Sequence, residues 1–264
     1  MCRINSRAGV ILVAVAGTWV ASCTTTAPML PKQFVDLSPA VEPGLVEKQF
    51  GQKIAQVGFL PEPRFEDLIE DEPGYYSAMT VVTILNHLGS HHDAPRHLSR
   101  SGRSSDQVPL DRFYGRARIF DFRPKGRNEP LLPADFMTES IKPDEIVIAY
   151  VGYTPPVDSD SLPTYPYLSG EAARYLASLK IKAFATDMPG LMSIVNSASA
   201  YETASEAGNA YPEHTALLEE DIVVIEGLAN LEDIVGLRDV IFVGFPIKLK
   251  DGNGAPLRAV ALIY

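Results

Sequence analysis

The sequence predicts a single α/β domain over residues 34–264, and three features carry that expectation. Strand-like runs of β-branched and apolar residues are interspersed with short helical signals along the whole stretch. No linker after Gln33 separates two cores, and no internal repeat is visible. At 46% hydrophobic and 21% charged over 264 residues, the composition is ordinary for a core-forming protein.

The elements read off in order. Residues 34–37 (Phe-Val-Asp-Leu) make a first short strand, and the alternating stretch 76–85 makes a longer one that runs into a His-rich segment. Residues 117–122 are another strand candidate, 133–136 open a short helix, and 145–151 form a buried strand. Four Pro between 152 and 168 mark an irregular loop. Ser169 is placed to cap a helix over 170–179, followed by a strand at 181–185. Residues 195–211 are small and polar, as in a surface excursion. The tail is β-rich, with strands expected at 222–225, 240–245 and 259–263.

The charge balance, 23 Lys+Arg against 33 Asp+Glu, gives −10 and argues against a nucleic-acid groove, which needs a basic stripe. Two Cys exclude a disulfide framework, a four-Cys zinc site and an iron–sulfur cluster. Residues 1–22 read as an address. Arg3 and Arg7 form a basic start, and the uncharged run 8–21 is short beside the about 20 residues of a membrane span. Val20-Ala21-Ser22-Cys23 resembles the lipobox of bacterial lipoproteins, with Cys23 as the acylated residue. An ordinary cleaved signal or an uncleaved anchor are the other readings. Thr24, in place of Asp, points to a domain held by its lipid at the outer membrane, facing the periplasm. Residues 23–33 then form the lipidated Cys and a flexible tether. Cleavage would leave 242 residues with a charge of −12 and no free thiol.

Four of the five His lie within residues 87–97, His-Leu-Gly-Ser-His-His-Asp-Ala-Pro-Arg-His. Neutral imidazole and carboxylate are the donors that zinc and manganese accept without thiolates. His91 and Asp93 are two apart and point to one side of an extended chain, whereas His92 alternates away as a packing or solvent-facing residue. Gly89 permits a turn that folds His87 back towards them, and Pro95 stiffens the approach to His97. The fifth His is His214. Twelve residues on, Glu226 follows an apolar strand, where a carboxylate facing inward is costly unless paired or metal-bound. A His-rich surface loop and a closed structural zinc site are the bland alternatives.

These residues resemble the metal-dependent cyclase-like hydrolase family, which includes bacterial kynurenine formamidases and isatin hydrolases. The family motif, His-x-Gly-Thr-His-x-Asp-x-Pro-x-His, stands here as His87, Gly89, Ser90, His91, Asp93, Pro95 and His97; Ser90 keeps the hydroxyl. The similarity extends over roughly 34–264, through Leu168-Ser169-Gly170-Glu171, Thr186-Asp187-Met188-Pro189, His214, Glu226-Gly227-Leu228 and the tail from Gly252 to Ala259. It implies a single α/β domain of the swivelling β/β/α type, with a mixed sheet and flanking helices, assembled as a homodimer or larger homo-oligomer. It also implies a first divalent ion, Zn2+ or Mn2+, on His87, His91 and Asp93. A second would sit on Asp93, His214 and Glu226, and His97 would be the general acid/base. The implied reaction is hydrolysis of a C–N bond in a small formamide, amide or lactam. Metal-acidified water attacks the carbonyl, and His97 moves the proton to the leaving nitrogen.

The chain departs from its kin where substrate is chosen. The Trp that kynurenine formamidases carry near the start is missing, since Trp19 lies in the signal segment. Gly190 stands where many relatives have Ser, which removes a possible hydrogen-bond donor. Both weigh against N-formylkynurenine as substrate. Tyr75, Tyr76, Tyr153, Tyr165 and Tyr167 are candidates for aromatic walls or for ordinary packing and surface. Arg258 is a candidate carboxylate binder or the partner of an acidic neighbour. A ring-closing cyclase and a non-catalytic metal-binding lipoprotein remain the alternative functions.

Overall fold

The computed structural model describes residues 30–194 and 211–264. The signal segment, Cys23, most of the tether, and all but the last residue of the 195–211 excursion lie outside the described residues. Residues 31–264 make one compact unit.

Strand β1 (Gln33–Asp36) is followed by two short helices, α1 (Leu45–Phe50) and α2 (Gln52–Val57). An antiparallel hairpin comes next, β2 (Arg64–Glu72) and β3 (Tyr75–Thr83), then the three-residue β4 (His91–Asp93) and β5 (Tyr114–Asp121). β6 (Pro130–Leu131) leads into helix α3 (Pro133–Phe136), and β7 (Ile146–Tyr150) is buried along its whole length. β8 (Tyr167–Leu168) ends the Pro-rich loop, before helix α4 (Gly170–Ser178) and β9 (Ala183–Thr186). Helix α5 (Pro212–Leu218) and β10 (Val223–Glu226) precede the tail strands β11 (Val240–Val243), β12 (Gly254–Pro256) and β13 (Val260–Ile263).

Among the described residues, nine strands form one mixed sheet in the order β1-β13-β11-β5-β7-β9-β10-β4-β12. β5, β7, β9 and β10 run parallel, and the flanking pairs are antiparallel. The parallel centre must bury both faces, which is why its strands read as continuous apolar runs. Ile146 and Ile148 of β7 go to one core, with Val35, Phe113, Ile225 and Phe242. Val147 and Ala149 go to the other, where Phe136, Leu176 and Leu217 of the helices cover the sheet. Helix α4 starts where expected: the Ser169 side chain accepts from Ala172 N at 3.1 Å. Among the described residues, no helix is long and apolar enough to cross a membrane.

Two expectations need correction, and one choice left open is settled. The strand expected at 76–85 is one arm of a hairpin whose other arm, Arg64–Glu72, went unread. Its five acids hide the alternation, and both arms lie almost wholly exposed. Tyr75 and Tyr76 sit at the exposed end of that hairpin, are not among the walls of the candidate active-site cavity, and do not pack in a core. Arg258 is committed to Asp36, with Nε 2.7 Å from Oδ1, and so takes the acidic-neighbour role.

Candidate active site

β4 lies between β10 and β12, and the register sets the site. His91 is opposite Glu226 and Pro256, and Asp93 is opposite Val224 and Gly254. Residues opposite or two apart share a face, so His91, Asp93 and Glu226 converge while His92 turns away. Gly89, at φ 70°, makes the turn that returns His87, and Gln49 Oε1 accepts from Gly89 N at 2.8 Å. Ser90 Oγ donates to Gly227 O at 2.8 Å and ties this turn to the residue after Glu226. A Cβ on Gly254 would stand 2.6 Å from His87 Cε1 and 2.5 Å from His92 O, so only glycine lets that ring and β4 approach β12 this closely.

Each of three imidazoles has one nitrogen on an acceptor and the other towards a carboxylate. His87 Nε2 is 3.1 Å from Asn253 Oδ1, and its Nδ1 is 2.7 Å from Asp93 Oδ1. His91 Nδ1 is 3.0 Å from Gly89 O, and its Nε2 is 3.6 Å from Asp93 and 3.5 Å from Glu226. His214 Nδ1 is 3.1 Å from Glu213 Oε1, while its Nε2 is 3.2 Å from Glu226 and 3.6 Å from Asp93. Such outward acceptors fix the tautomer and turn a lone pair inward, as around bound metals. Yet a lone pair 2.7 Å from a carboxylate oxygen is repulsive unless a cation or proton lies between. Asp93 Oδ1 is also buried without a hydrogen-bond partner. The donor set therefore fits a divalent cation. Two groups have ligand atoms within 4.8 Å of one another: His87, Asp93 and His97, and Asp93, His214 and Glu226.

The electrostatics match. Burial alone would lift the Asp93 carboxyl, but His87, His91 and His97 hold it far below its ordinary range. Glu226 is lowered too, against burial and the Asp93 charge, by His214 and His91. Burial disfavours charge on His214, yet Glu213 and Glu226 push it up to about 10, and His91 is raised likewise by Glu226 and Asp93. His97 differs: burial and the neighbouring His87 and His214 hold it below its ordinary value. It follows Pro95 on a single 3-10 turn, at the exposed rim, with its ring 4.4 Å from that of His87.

These six side chains border a cavity of about 380 Å³ whose other walls include Phe50, Leu60, Leu85, Leu98, Gly190 and Met192. All the expected ligand residues therefore come together. Gln49, Glu213 and Asn253 were not expected; Gln49 lies 40 residues from the Gly89 it holds, and no local pattern marks it.

His92 is fully buried, its Nε2 2.7 Å from Ser105 Oγ and its ring edge-on to Phe113, so it packs. Burial lowers its pKa to about 4. The unfolded chain takes up that proton near 6.5, so its contribution to stability is lost as pH falls from about 6.5 to about 4. In guanidinium melts, the stability of wild type relative to His92→Gln should drop by about 3 kcal/mol over that window. A pH-independent difference would contradict this.

The fold and this imidazole–carboxylate cluster place the molecule among the cyclase-like α/β proteins. The Cyclase family model matches residues 31–191, and the chain belongs to that family. It is 29% identical over 191 residues to a kynurenine formamidase of Salinibacter ruber, spanning 68% of this chain and 77% of that protein. It is 24% identical over 216 residues to an isatin hydrolase of Roseibium aggregatum, spanning 73% and 78%. In three dimensions it resembles isatin hydrolase A from Labrenzia aggregata bound to benzyl benzoate. The TM-score there is 0.68 at 22% identity, covering 88% of this chain and 93% of that one.

Proposed function

We propose that this protein is a metal-dependent hydrolase that cleaves a C–N bond in a small formamide, amide or lactam. The observation that carries the reading is the buried Asp93 carboxylate, common to both ligand-sized groups and faced by inward-turned imidazoles, whose Oδ1 makes no hydrogen bond. The names of its relatives, formamidase and isatin hydrolase, support the reaction class.

In this reading His87, His91 and Asp93 hold one divalent ion, Zn2+ or Mn2+, and Asp93, His214 and Glu226 hold a second. A bound ion would supply Lewis acidity, lowering the pKa of water towards about 7 and polarising a carbonyl. The chain's own residues do the rest. Gly89, Asn253 and Glu213 fix the imidazole orientations before substrate arrives. Phe50, Leu60, Leu85 and Leu98 offer an apolar wall for a ring and exclude water. His97, neutral and at the rim, takes a proton from the attacking water and returns it to the leaving nitrogen.

The test is to incubate the purified chain, loaded with zinc or manganese and then chelated, with formamides, lactams and esters. Turnover of a formamide or lactam that chelation abolishes and metal restores is expected. Silence across the panel would instead favour a metal-binding protein without catalysis.

Two further parts of the reading rest on sequence and exposure. The hairpin β2–β3 has both faces uncovered, and an isolated two-stranded ribbon is marginal in water, which supports a homodimer or larger homo-oligomer. Lipidation of Cys23 would hold the domain at the outer membrane, facing the periplasm.

A further inference from the structure

We propose that Gln49 is a positioning residue for the metal centre, its side-chain oxygen locking the glycine joint that sets His87 against His91. This role rests on the metal-dependent reading above for what the two imidazoles hold, and on the following geometry for the rest.

His87 and His91 reach the centre from opposite sides of Gly89, and their ring centroids stand 5.2 Å apart. Gly89 is the softest joint between them. It lies at φ 70°, and a Cβ built on it would meet only Leu45 and Val41, at 3.6 and 3.8 Å, its chain neighbours aside. Packing therefore leaves room here, and glycine is required for the backbone angle alone. Such a residue supplies no stiffness of its own. The Gly89 carbonyl also accepts from His91 Nδ1 at 3.0 Å. A rotation at Gly89 would thus change the bearing of His87 and displace the acceptor that sets the His91 tautomer.

The partner of the buried Gly89 N–H is Gln49 Oε1, 2.8 Å away. The residue that offers it is itself well held. Gln49 is 9% exposed, and the Tyr153 hydroxyl donates to its main-chain oxygen at 2.8 Å. On the same helix, α1, Leu45 and Val46 pack with Leu88, the neighbour of Gly89. The other end of the carboxamide argues against a role in packing alone. Gln49 Nε2 is buried and has no hydrogen-bond partner among the described residues. An unpaired buried amide is costly, and a methionine of similar shape would avoid it. What distinguishes glutamine at 49 is the one contact its side chain does make, with Gly89 N. Asn253 and Glu213 brace imidazoles directly, whereas Gln49 acts one step back, through the main chain.

The test loads the full chain with cobalt(II), a stand-in for zinc whose visible bands report ligand geometry. Gln49→Met removes the acceptor at similar volume, and should weaken cobalt binding about 10–100-fold and shift the bands. Gln49→Glu keeps an oxygen for Gly89 N and forfeits no bond at the unpaired Nε2, so it should restore affinity and bands. Gln49→Asn, one methylene too short, should lose both as the methionine variant does, and serves if that variant fails to fold. A lower melting temperature with unchanged cobalt affinity and bands would mean packing alone and overturns the proposal. A glutamate variant no better than the methionine one overturns it too. Hydrogen exchange at the Gly89 amide of the metal-free chain, read by NMR, separates this role from the metal reading. If wild type takes up no cobalt, the metal reading falls. Faster Gly89 exchange in Gln49→Met that Gln49→Glu reverses would then leave the lock on the joint standing, and unchanged exchange would overturn it.

Discussion

Asp93→Ala should strip the chain of its divalent ion and of its activity together. Asp93 is common to both ligand-sized groups, and its carboxyl lies between the inward nitrogens of His87, His91 and His214. Removing it leaves His87 without its carboxylate partner and Glu226 facing only His91 and His214. Replacing partners that merely orient ligands costs about 10–100-fold in metal affinity or activity, and loss of a shared ligand should exceed that range. Metal content after dialysis, by plasma mass spectrometry, should fall below one tenth of the wild-type value. Turnover should vanish and excess zinc or manganese should not restore it. A variant that keeps both would sink the metal centre.

His97→Ala should lose about 10²–10⁴-fold in rate while keeping its metal. The structure makes this result decisive in both directions. His97 lies within ligand distance of His87 and Asp93, so its imidazole has the reach to coordinate an ion as well as to carry a proton. Yet it is placed unlike the other imidazoles. It sits at the exposed rim, after Pro95, and its pKa is held down where those of His91 and His214 are raised. A rate loss with full metal content assigns it to proton transfer. Loss of metal would reassign it to the ligand set, and loss of neither would remove it from the site.

Much of the site was legible because β4 carries it in a row. Period-two alternation alone puts His91 and Asp93 on one side and His92 on the other, and Gly89 announces the turn that returns His87. Glu226 was legible through the apolar strand that precedes it, whereas His214 joined the site only through the family resemblance, the helix that carries it having gone unread. What could not be read is what comes from far along the chain. Gln49 reaches the Gly89 amide from 40 residues away, and Asn253 reaches His87 from 166 away. Such pairs carry no periodicity, and only the fold creates them. The central strands were found from their continuous apolar runs, but their parallel pairing was not. The strand Arg64–Glu72 was missed because an exposed ribbon has no buried face to imprint an alternation.

The placement of β4 between β10 and β12 has a consequence for when the site comes into being. Its side chains are contributed by residues 87–97, 214 and 226, and the ring of His87 is braced by Asn253 and Gly254, more than 160 residues further along the chain. The first strand, β1, also pairs with the last, β13. A chain emerging in order therefore carries His87 to His97 early but lacks the walls that hold them until residues 253–256 have followed. Pairings of such long sequence separation form late and slowly. The centre is consequently assembled late, only once β12 has joined β4.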